Sequence, residues 1–112
     1  MEKFFNRYDE REFELIAGVE AFHSYEWDEI VVIRDLDTSE LFWFDASGCS
    51  CNSIEDSIRD RKPVRSLADF TREARRWQAE ADHEGDSGQI VAQVTNMISL
   101  TRKALTANRL KG

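Results

Sequence analysis

The sequence predicts an α+β domain: a three-stranded antiparallel sheet packed by a C-terminal helical hairpin, with a short helix between them. Three observations carry that expectation. The run Ile30-Val31-Val32-Ile33 is four β-branched residues long, which favours a pleated strand. After residue 66 the apolar residues recur at helical spacing in two successive stretches. Strand signals come first and helix signals follow, the order expected of an α+β domain rather than an alternating α/β one. At 112 residues, one domain is the expectation. Its sheet part covers about residues 13–46 and its helical part about 53–107.

Residues 1–11 are mixed and charged and read as a frayed turn or a loop. Residues 13–22 place Phe13, Leu15, Ala17, Val19 and Ala21 on one alternating set, interrupted by Ile16 and Phe22. His23-Ser24 reads as a turn. Residues 25–36 form the second strand. Asp37-Thr38-Ser39 reads as a turn, because Asp and Ser bond their own backbone there. Residues 40–45 form the third strand and complete a meander.

The helical part opens at Ser53-Ile54-Glu55-Asp56, which has the form of a capping box with Asp in the acidic position. That short helix would run to about Arg61 and end at Pro63, the single proline. A second box, Ser66-Leu67-Ala68-Asp69, opens an amphipathic helix with the stripe Leu67, Phe70, Ala74, Trp77 and Ala81. Gly85 and Gly88 interrupt the chain. The last helix covers about 89–107, with the stripe Ile90, Val94, Met97, Ile98, Thr101 and Leu105. Val91 and Leu100 lie off that stripe. Burial between two neighbouring elements explains them more simply than a homodimer contact does.

Composition narrows the function classes. Seven Phe, three Trp and two Tyr argue against disorder. No apolar run approaches a membrane span, and the N-terminal residues carry no signal-peptide core. The expected location is therefore the cytoplasm, with reduced thiols at Cys49 and Cys51. A disulfide between them would close a strained ring. The net charge is −7, split as −11 over residues 1–60 and +4 over residues 61–112. That asymmetry fits a soluble domain. Its sharper alternative is an acidic face that meets a basic partner.

Candidate chemistry centres on Ser47-Gly48-Cys49-Ser50-Cys51-Asn52-Ser53, which follows the aromatic strand Leu41-Phe42-Trp43-Phe44. Cys49 and Cys51 are the candidate metal ligands. Their spacing is shorter than that of common zinc knuckles, and His23 and His83 stand far apart. Cys51 precedes a helix start that would favour a thiolate, but Glu55 and Asp56 oppose that effect. The simplest role of the turn is tight packing, with Gly48 free to take a positive φ. Phe42-Trp43-Phe44 places aromatics on both faces of its strand. An exposed ring among them would be a hot spot for a protein partner.

The acids Glu26, Asp28, Glu29, Asp35, Asp37 and Asp45 crowd one hairpin, where solvated strand edges explain them. The cluster Arg72, Glu73, Arg75, Arg76 is too mixed with acid for a nucleic-acid patch. No Gly-rich phosphate loop, HExxH or nucleophile elbow is present.

The segment Asp28-Glu29-Ile30-Val31-Val32-Ile33-Arg34-Asp35, then Leu41-Phe42-Trp43, then Ser47-Gly48-Cys49-Ser50-Cys51-Asn52-Ser53-Ile54-Glu55-Asp56 resembles small uncharacterised proteins encoded by actinobacteriophages. The resemblance covers about residues 13–60. Members of that family often have a Pro and Phe after the motif, where this chain has Ile54 directly before the acids. The resemblance implies a phage-encoded protein acting in the cytoplasm of an actinobacterial host. It brings no established activity. The expected function is non-enzymatic binding of a host or phage protein, through Phe42, Trp43, Phe44, Cys49 and Cys51. No cofactor, membrane contact or direct nucleic-acid binding is expected. The alternatives are a metal-binding or thiol-dependent module at Cys49 and Cys51, and an acidic mimic of nucleic acid.

Overall fold

The computed structural model describes residues 3–6, 10–23, 26–48, 58–81 and 87–111. Its strands are β1 (Lys3–Asn6), β2 (Arg11–His23), β3 (Glu26–Asp35), β4 (Leu41–Gly48) and β5 (Lys62–Pro63). Two helices follow, α1 (Leu67–Ala81) and α2 (Ser87–Lys111). The strands form one antiparallel sheet in the order β1-β2-β3-β4-β5. Both helices pack on one face of that sheet. The architecture is therefore α+β, with an antiparallel sheet and two C-terminal helices.

The three predicted strands form the middle of a wider sheet. Residues 3–6, expected in a turn or loop, pair with β2 from Lys3↔Glu14 to Asn6↔Arg11. Glu10, at φ 55°, turns the chain back into β2. Four residues are too few to show a period of two. At the other edge, Phe42 pairs with Pro63 and Trp43 with Lys62. The Val64 N–H donates to the Leu41 carbonyl at 2.9 Å. Leu41 and Val64 are thus a hydrogen-bonded pair, and the alternation makes Phe42 and Pro63 a non-bonded one. The position of Pro63 in the ladder asks for no N–H, and on an outermost strand a proline is tolerated. Most of the predicted short helix, residues 53–57, lies outside the described residues. Ile58 is helical, and a turn follows in which the Arg61 N–H donates to the Ile58 carbonyl at 3.1 Å. Pro63 belongs to β5 rather than to a helix end.

β2 changes faces part-way along. Its register with β3 shifts between Leu15 and Ala17, leaving Ile16 as a β-bulge. A one-residue insertion moves every later side chain to the other face. Phe13 and Leu15 therefore join Val31, Ile33, Phe42, Phe44 and Ile58 on the face away from the helices. Ala17, Val19 and Ala21 join Ile30, Val32 and Trp43 under the helices. The single alternating set read from the sequence is thus two sets, split at the residue that interrupts it.

The helical stripes are placed as expected. Phe70, Ala74, Trp77 and Ala81 are buried on α1. The Ser66 hydroxyl accepts the Asp69 N–H at 3.1 Å, which caps the helix. The Phe70 ring meets Trp43 edge to face at 6.3 Å between centroids. α2 buries Val94, Met97, Thr101 and Ala104. The Thr101 hydroxyl donates to the Met97 carbonyl at 2.8 Å, which satisfies it inside the core. Leu100 packs against the helix-side core as expected, but Val91 is exposed rather than buried between neighbouring elements. Gly88, read as a chain break, lies in the first turn of α2.

The β3–β4 turn is organised by one carboxylate. Asp35 is 2% exposed. It accepts from the Asp37 N–H at 2.8 Å, the Thr38 N–H at 3.3 Å and the Arg11 guanidinium at 2.5 Å. Ser39 takes φ 67°, and its carbonyl accepts the Asn108 side-chain amide at 2.6 Å. The far end of α2 is thereby fastened to the turn. Asp35, which the sequence alone places among the solvated acids of the hairpin, is instead buried with three donors.

Two outcomes are expected. Deleting Ile16 should place Ala17, Val19 and Ala21 on the wrong face and abolish cooperative thermal unfolding followed by circular dichroism. A wild-type melting curve would contradict the two-faced strand. Asp35→Ala should cost about 2–3 kcal/mol in urea denaturation, because charged hydrogen bonds are lost and buried donors are orphaned. Asp35→Asn keeps an acceptor for the turn and should cost less.

Candidate functional site

The aromatic strand is spent on the core. Trp43 is 7% exposed beneath the helices, and Phe44 is 2% exposed on the opposite face. Phe42 is half-buried beside Phe44. The Arg61 guanidinium lies 5.0 Å from the Phe13 ring centroid and 5.3 Å from that of Phe42. The Lys62 ammonium lies 4.9 Å from the Trp43 ring. Two consecutive cations thus stack on aromatics from opposite faces of the sheet. None of the three rings on β4 is exposed, so the expected exposed hot-spot ring is not found there. Cys49 and Cys51 lie outside the described residues, as do the side chains of His23 and His83. Among the described residues, no three His, Cys, Asp or Glu side chains gather to hold a metal ion.

The surface feature that stands out is an acidic row near the Gly48 end of β4. Glu20 on β2 pairs directly with Glu29 on β3, and Glu29 pairs with Ala46 on β4. Directly opposed residues point to the same face, so two carboxylates share one row. Glu29 is half-buried and Glu20 exposed. The other neighbour of Glu29, the Ala46 methyl, offers it no hydrogen bond. Burial pushes the Glu29 carboxyl above its ordinary range, and the negative charge of Glu20 pushes it further. On the helix side of the same end, Asp45 is exposed and Asp28 half-buried. β4 ends at Gly48, opposite Trp27. The sequence reading named Glu29 but missed Glu20. The register of β2 with β3 sets Glu20 against Glu29, so the signal lay in strand pairing.

Several other charged side chains are locally engaged. The Arg34 guanidinium reaches Glu14 at 3.5 Å, with both side chains largely covered. On α1, Arg72 bonds Asp69 at 3.0 Å and Arg76 bonds Glu73. Arg75 donates to Gln78 at 2.7 Å and to Thr95 on α2 at 3.0 Å. Each of these arginines thus has an acceptor within the domain, which fits a solvated helix face better than a phosphate-binding patch. No helix among the described residues is long and apolar enough to cross a membrane.

The extent of this arrangement coincides with a known sequence family. The family model described as a domain of unknown function, DUF7574, matches residues 2–104. The chain belongs to the DUF7574 family. The matched span of the DUF7574 domain takes in all five strands, both cysteines, α1 and most of α2. No curated protein and no solved structure matches the chain.

Glu20→Gln should stabilise the domain by roughly 0.5 kcal/mol at pH 7 by removing a like-charge cross-strand pair. The sign in pH follows from linkage. With the folded carboxyl of Glu29 raised above 4.5, the folded state binds more protons than the unfolded one just above that pH. The contribution of this row to stability is therefore full below pH 4.5 and falls as pH rises through the folded value. Urea titrations of wild type and Glu29→Gln across this window should show that component in wild type alone. Identical pH profiles would contradict it. Arg61→Ala should cost about 1–2 kcal/mol through two lost cation–ring contacts.

Proposed function

We propose that this domain is a non-enzymatic accessory protein, encoded by an actinobacteriophage, that binds a host or phage protein through the acidic end of its sheet. The observation that carries the reading is the Glu20–Glu29 row. An opposed pair of carboxylates costs the free domain stability. A cationic side chain from a partner, placed over that row, would remove the cost and gain a charge-assisted hydrogen bond. The charge of −11 over residues 1–60 supports the same partner chemistry, because complementary potentials speed encounter and reject acidic partners. The resemblance of residues 13–60 to phage proteins supports the origin and the host cytoplasm as the location. Cys49 and Cys51 follow β4 in sequence, and the proposal includes them in the same site. Trp43 and Phe44 act beneath the surface, holding β4 in place.

The test is affinity capture from actinobacterial lysate, read by mass spectrometry. Wild type is compared with a Glu20→Gln, Glu29→Gln double variant. A protein retained by wild type, lost in the variant and released as salt rises is the expected result. Equal retention by both forms would remove the acidic row from the site. Release of the captured protein by duplex DNA would mark the acidic surface as a mimic of nucleic acid.

A further inference from the structure

We draw no further inference here: the strongest candidate, the outer edge of β1, where register with β2 turns the backbone N–H and C=O of Phe5 away from the sheet, carries nothing because nothing in the structure shows what covers it.

Discussion

The fold depends on a single inserted residue in β2. With Ile16 bulged, one strand contributes Phe13 and Leu15 to one core and Ala17, Val19 and Ala21 to another. A sheet buried on both faces needs apolar residues on both sides of its central strand, and β3 supplies them as Ile30, Val31, Val32 and Ile33. β2 cannot do the same with an unbroken alternation, because Glu14 and Glu20 interrupt its apolar positions on either side of Ile16. The bulge resolves this by sending the apolar set to whichever face needs it. The helices then cover one core. Ile58 and the stacked guanidinium of Arg61 lie over the other.

The same constraint sorts the charges. Asp35 falls on the face shared with Phe13 and is buried, but it sits where the turn backbone and Arg11 supply donors. Glu14 falls on the helix side opposite Arg34 and is paired. Glu20 and Glu29 fall opposite each other, and Ala46 completes their row. Two of these arrangements are compensated inside the domain. The third opposes two carboxylates, and the proposed function rests on that pair. The aromatic strand presents none of its three rings fully to solvent, which is consistent with the proposed recognition by charge.

The long elements were legible in the sequence because each repeats its period several times. Phe70, Ala74, Trp77 and Ala81 state the buried face of α1, and Ser66 states its start. The β-branched run of β3 is as direct. β1 and β5 were not legible. Four residues and two residues carry no period, and Pro63 reads as a helix stop until register places it at a non-bonded edge position. The bulge was visible as an irregularity at Ile16, but alternation alone does not say which side of the break faces the helices. The acidic row required pairing across a turn, a long-range fact. The burial of Trp43 and Phe44 required knowing that both faces of the sheet are covered.

The most direct test of the two-faced strand is a set of side-chain nuclear Overhauser contacts in isotope-labelled protein. The Phe13 ring should show contacts to Ile33 or Phe44, while the Ala17 methyl should show contacts to Val94 or Met97, in the same sample. Contacts from Phe13 and Ala17 to one shared set of neighbours would mean that β2 keeps one face throughout. The bulge would then not be the feature on which the two cores depend.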